Sequence, residues 1–152
     1  MEKELTRFFD TSLTNALRNL KEDSKAKWGT MTAKQMLIHL IQSSNMMHFG
    51  NNTLLIKEEY VEKAIAFLYS DKAIKKGLVV PNDIGFNFTN NNEDIEELKA
   101  ELINSSNNML AFLIENTEFK AIHPFFGELT AAQWSIFQRK HYIHHLSQFG
   151  LL

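Results

Sequence analysis

The sequence predicts an all-α fold, a four-helix bundle, and three observations lead there. Only two prolines and six glycines interrupt the chain, so long segments keep an unbroken helical period. Two segments open with the same start signal, a Thr-x-x-Gln capping box inside a hydrophobic staple, and each is followed by a stop glycine. A third long segment opens on acidic residues and carries one apolar stripe.

The first helix is expected from about Lys3 to Leu20, with Leu5, Phe8, Phe9, Leu13, Leu17 and Leu20 on its core-facing stripe. The second starts at the box Thr32-Ala-Lys-Gln35, stapled by Met31 and Met36, and runs to about Phe49 before stopping at Gly50. From Gly50 to Asn91 the chain makes a long connection. It contains one more helix, roughly Lys57 to Lys76, then a loop with Pro81 and Gly85. Lys72, Lys75 and Lys76 read as the solvated last turn of that helix, ended by Gly77, where cations suit the helix dipole.

The third principal helix spans about Asn92 to Glu115. Glu93 and Asp94 stand at its start, and Ile95, Leu98, Leu102, Met109 and Leu113 lie on its buried side. The fourth begins at Thr130-Ala-Ala-Gln133, stapled by Leu129 and Trp134, and ends at Gly150. Short loops join antiparallel neighbours and long ones need not, so one long crossover between helices two and three gives up-down-down-up order, with helices two and four antiparallel. An internal echo, Leu40-Ile-Gln-Ser-Ser-Asn-Met-Met47 against Leu102-Ile-Asn-Ser-Ser-Asn-Asn-Met109, puts serine and asparagine in helix middles. These positions read as solvent-facing, with a polar pocket as the alternative.

The 152 residues are expected to form a single domain over 1–152, large enough to hold a core without staples. With no cysteine, disulfides and thiolate metal sites are impossible, and any metal must take nitrogen or oxygen ligands. The 16 basic and 18 acidic side chains leave a net charge of −2, no electrostatic footprint for nucleic acid. Met1-Glu-Lys-Glu-Leu5 lacks the apolar region of a secretory signal, and no apolar run reaches the roughly 18 residues of a membrane helix. A soluble cytoplasmic protein without membrane or nucleic-acid partners is expected.

The histidines carry the functional signal. His141 and His145 are four apart on one helix, which puts their Cβ atoms about 5–6 Å from each other on a shared face. His39 lies seven residues past its Thr32 cap, and His141 and His145 lie nine and five residues before Gly150. At about 1.5 Å of rise per residue, antiparallel helices bring all three to matching depth, whereas parallel helices would offset them by about 6–12 Å. Three imidazoles with a coordination position left open is the pattern of catalytic rather than structural metal sites. The competing reading is a set of ordinary hydrogen-bonded core histidines.

His48 falls on the opposite face of its helix and reads as a surface residue, and His123, in His-Pro-Phe-Phe-Gly127, reads as structuring its loop. His144, at i, i+3 from His141, is a competing ligand or an outer partner. Gln148 and Gln42 are candidates to orient ligands or substrate from behind. The stripe Trp134, Phe137 or Gln138, His141, His145, Gln148 mixes apolar residues with nitrogen donors, as a half-buried site would. No nucleophile elbow, phosphate-binding loop or dinucleotide fingerprint is present, and Tyr142 stands where a metalloprotease H-E-x-x-H needs its glutamate.

Three segments, Trp28-Gly-Thr-Met-Thr-Ala-Lys-Gln-Met-Leu-Ile-His39, His123-Pro-Phe-Phe-Gly-Glu-Leu-Thr130 and His141-Tyr-Ile-His-His-Leu-Ser-Gln-Phe-Gly150, resemble the DinB/YfiT-like superfamily of metalloenzymes, in a branch known only as a domain of unknown function. The resemblance implies a DinB-like four-helix bundle, commonly dimeric, in which His39, His141 and His145 bind a divalent ion such as nickel or zinc. It implies a small-molecule substrate, with a low-molecular-weight thiol co-substrate in thiol S-transfer, or hydrolysis. No general base can be named from the sequence. Two functions follow as expectations: a metal-dependent transferase or hydrolase acting as a homodimer, or, alternatively, a non-catalytic, metal-stabilised helical binding or dimerisation module.

Overall fold

The structure, a computed structural model, describes residues 2–48, 53–78, 88 and 92–152. Its helices are α1 (Glu2–Arg7), α2 (Leu13–Leu17), α3 (Ala33–Asn45), α4 (Val61–Leu68), α5 (Ile95–Glu115) and α6 (Ala131–Gln148), and its strands are β1 (Lys120–His123) and β2 (Gly127–Thr130). The expected stop at Gly50 and the loop with Pro81 and Gly85 lie outside the described residues.

α1 and α2 form one rod joined by a π-helical turn over Phe8–Ser12, in which the Leu13 N–H bonds the Phe8 carbonyl five residues back. A π turn takes more residues per rotation than an α turn. Residues beyond it therefore lag and return to the core face, and Leu5, Phe8, Phe9, Leu13, Leu17 and Leu20 are all buried.

Both Thr-x-x-Gln boxes close. Gln35 N donates to Thr32 Oγ1 at 3.2 Å while Thr32 N donates to Gln35 Oε1 at 2.9 Å. At α6 the pair is Gln133 N to Thr130 Oγ1 at 3.3 Å and Thr130 N to Gln133 Oε1 at 3.0 Å. The far end of α6 is a Schellman motif: Gly150 N bonds the Ser147 carbonyl, Leu151 N bonds the Leu146 carbonyl, and Gly150 takes φ +70. α5 carries a third box, Asp94 with Glu97.

The middle helix is shorter than expected. A 3₁₀ turn over Glu58–Tyr60 leads into α4, which ends at Leu68, so Lys72, Lys75 and Lys76 are not a helical last turn. The ammonium of Lys140 on α6 reaches the Ser70 and Lys72 carbonyls at 2.8 and 2.6 Å and holds the chain in a non-helical strap. A long-range cation thus satisfies carbonyls that a continuing helix would have bonded itself.

The fold class differs from the expected all-α bundle in up-down-down-up order. It is a mixed architecture, helices plus a two-stranded antiparallel sheet. β1 and β2 pair Lys120 with Thr130 through His123 with Gly127, leaving Pro124-Phe125-Phe126 as the loop. With four residues per strand and a Pro…Gly loop, the segment is too short to show a period of two against its helical surroundings. Gly127 takes φ +75, and a Cβ there would come within 2.8 Å of Val61 on α4, so the turn needs glycine for both conformation and packing. Trp134 of α6 donates its indole N–H to the Ala121 carbonyl, docking the hairpin on that helix.

α3 packs chiefly on α5, with α6 against both. Contacts between α3 and α6 run in reverse: Trp28 before α3 meets Gln148, His39 meets His145 and His141, and Ser43 meets Gln138. The two helices are therefore antiparallel. Among the described residues no helix is long and apolar enough to cross a membrane.

Candidate metal centre

α3 contributes His39 and α6 contributes His141 and His145 to one cluster, whose candidate ligand atoms all lie within 4.8 Å of one another. His141 Nε2 is central, 3.0 Å from Nε2 of His39 and 3.0 Å from Nε2 of His145. Two nitrogens each about 2.0–2.1 Å from one zinc at the tetrahedral angle sit about 3.3 Å apart, so an outward shift of a few tenths of an ångström brings these atoms to coordination distance. The three histidines could hold a metal ion, and the donor set is entirely neutral nitrogen.

Electrostatics keep it neutral. Burial pushes the pKa of His39 down to about 3, with further lowering from the neighbouring imidazoles of His145 and His144. His141 falls well below the ordinary value, first through burial and then through His145 and His39. His145 falls to about 4 through burial, against a hydrogen bond to Gln148 that favours its charged form. Unprotonated imidazole is the form that ligates metals, and metal need not compete with a proton here near neutral pH.

The groups behind the three imidazoles come from both helices. Gln148, buried next to the α6 terminus, places Oε1 2.9 Å from His145 Nδ1. Ser43 Oγ lies 3.1 Å from His141 Nδ1 and 3.2 Å from Oε1 of Gln138. Ser43 and Gln138 are fully buried, as is Ser44, whose hydroxyl meets that of Tyr142 at 2.6 Å. The serines of the internal echo are thus interior on α3, not solvent-facing, and Ser106 on α5 is buried too. Ser43 sits one turn beyond His39 on the same helix face, the spacing that marks it as a neighbour of the cluster. Gln42 is half-buried on α3, and Ser43 and Gln148 stand at hydrogen-bond distance from His141 and His145.

His144 is not brought into the cluster. It lines a groove of about 440 Å³ on the other face of α6, with Trp28, Lys76 and Lys140. Its ring faces Trp28, over which the Lys76 ammonium sits at 4.2 Å. None of the three clustered imidazoles lines that groove. His48 is exposed and packs its ring edge-on to Phe112. His123 is buried among Phe126, Trp134 and Phe137, and its Nδ1 accepts the Phe125 N–H at 3.1 Å, holding the hairpin turn.

No curated protein and no solved structure matches the chain. A family model described as a protein of unknown function, DUF1569, matches residues 7–150, a span that includes all three clustered histidines and both helices that carry them. Because that match covers nearly the whole chain, the protein belongs to the DUF1569 family.

Proposed function

We propose that the protein is a metal-dependent enzyme in which His39, His141 and His145 hold a divalent transition ion, zinc or nickel. The observation that carries this reading is the convergence of imidazole nitrogens from two separate helices, two of the three Nε2 pairs being 3.0 Å apart. An ion held by three neutral nitrogens supplies Lewis acidity at the coordination position they leave open. The chain's own part is to hold those nitrogens unprotonated and aimed inward, behind a wall of buried serine and glutamine. A small-molecule substrate is expected, and transfer of a low-molecular-weight thiol or hydrolysis is the reaction class. That class rests on the likeness of the Trp28–His39, His123–Thr130 and His141–Gly150 segments to the DinB/YfiT-like superfamily, of which we read DUF1569 as a branch. A cytoplasmic homodimer is the expected setting.

Elemental analysis of protein purified without a nickel column is the test. About one zinc or nickel per chain, lost in His39→Ala, is the expected result. Substoichiometric metal unaffected by His39→Ala would refute the site. Screening thiol, ester and amide substrates then separates an enzyme from a merely stabilised module: turnover abolished by chelation and restored by metal belongs only to the enzyme.

A further inference from the structure

Two buried glutamines settle which nitrogen of each α6 histidine carries its proton. Gln148 Nε2 donates to the Trp28 carbonyl at 2.8 Å, which fixes the orientation of the amide and turns Oε1 toward His145 Nδ1 at 2.9 Å. An amide oxygen only accepts, so His145 Nδ1 must be the protonated nitrogen. Gln138 repeats the device. Its Nε2 donates to the Ser43 carbonyl at 2.7 Å, its Oε1 accepts the Ser43 hydroxyl at 3.2 Å, and Ser43 Oγ is left to accept from His141 Nδ1 at 3.1 Å. The Ser43 hydroxyl has a second acceptor in reach, Met46 Sδ at 3.9 Å, a weaker one than an amide oxygen. Were Ser43 to donate to His141 instead, the buried Gln138 oxygen would face another oxygen with no proton between them.

We infer that Gln138, acting through Ser43, and Gln148, held by the Trp28–Gly29 turn, are positioning residues that lock His141 and His145 as Nδ1–H tautomers and so present both Nε2 lone pairs to His39. The inference rests on the metal reading for its purpose and on hydrogen-bond logic for its content. It also gives the Trp28-Gly-Thr segment a task. Lys27 N donates to the Gln148 carbonyl at 2.7 Å, and Gly29, at φ +77, lies so close that a Cβ there would come within 2.6 Å of Gln148 Nε2. Two bare lone pairs facing each other at 3.0 Å repel, and a shared cation relieves that repulsion. Partners behind metal-ligating histidines fix tautomer and ring orientation in this way.

The test is nitrogen-15 NMR of the metal-free, histidine-labelled protein at neutral pH, paired with zinc and nickel affinities from chelator competition. In the wild type, the His141 and His145 resonances should report protonated Nδ1 and bare Nε2. Gln148→Leu should release His145 to a tautomer mixture and weaken zinc about 10–100-fold, and Gln138→Leu should do the same at His141. Gln148→Glu, which keeps an acceptor for Nδ1–H, should retain the tautomer. Gly29→Ala should act on His145 alone. Protonated Nε2 in the wild type would overturn the lock without any variant being needed, as would unchanged tautomer and affinity in a folded Gln148→Leu. A wild type that shows the locked tautomers but binds neither ion would leave the lock standing and sink the metal reading instead.

Discussion

His123 and the cluster of His39, His141 and His145 are both buried, and in both burial holds the imidazole far below its ordinary pKa. They differ in where the lone pairs go. His123 spends Nδ1 on the Phe125 N–H and surrounds its ring with Phe126, Trp134 and Phe137. The cluster turns its Nδ1 edges outward, in His141 and His145, and aims nitrogen at nitrogen. Burial and a depressed pKa therefore mark interior histidine in general, and convergence of imidazole nitrogens from two helices marks the candidate site.

Acid should expose what the two regions share. His123 has its pKa lowered from 6.5 to about 3, so the unfolded chain binds the proton first. Its contribution to stability is whole above pH 6.5 and is lost as the pH falls toward 3, at up to about 1.4 kcal/mol per pH unit. Urea unfolding of metal-free protein across that window should show a steep decline fed by His123 and the cluster together. His123→Phe should flatten it by one proton's share. A flat profile would mean that these imidazoles are not held neutral.

Metal should then separate the regions. His39→Ala or His141→Ala should weaken zinc by more than the roughly 10–100-fold that losing a supporting partner costs. His123→Phe should leave zinc affinity unchanged. Correspondingly, zinc at about 100 times its Kd should raise wild-type and His123→Phe stability by about 2.7 kcal/mol and His39→Ala by far less, read as shifts in Tm. Equal shifts in all three would erase the distinction.

A smaller effect tests the hairpin side. His123→Ala should cost about 2–4 kcal/mol of stability by emptying its aromatic cage, with the metal affinity kept. The smallest is Thr130→Ala, which removes the α6 cap and should cost about 1 kcal/mol by urea unfolding. If the rigidity of α6 aligns the two ligands, zinc affinity in Thr130→Ala should change little, since His141 lies more than two turns beyond the cap.

Legibility in the sequence followed the range of the interaction. Thr32, Gln35, Thr130, Gln133 and Gly150 announce helix ends because each bonds a backbone group within a few residues, and the structure closes every one of those bonds. Lys72, Lys75 and Lys76 misled because the chain beyond α4 is held in a non-helical strap by Lys140, sixty-eight and more residues away in sequence. The hairpin was hidden by its brevity. Ser43 and Gln138 were legible only in part: the stripe through His141 offers Gln138 as an alternative to Phe137, and the echo with Ser43 allows a polar pocket, but serine and glutamine in a helix read as surface unless a partner helix is known to cover them.

The chain alone determined where α3 and α6 begin, where α6 stops, and that His141 and His145 share a face, since helical period and capping are local. Whether His39 meets that pair, which serine and glutamine stand behind each imidazole, and that β1 and β2 fold over between α5 and α6 were decided by tertiary packing. These are contacts about a hundred residues apart in sequence, such as the 95 between Ser43 and Gln138, or depend on burying short segments against others. No local pattern encodes them, because their free energy exists only once water has been excluded from the seam between the helices.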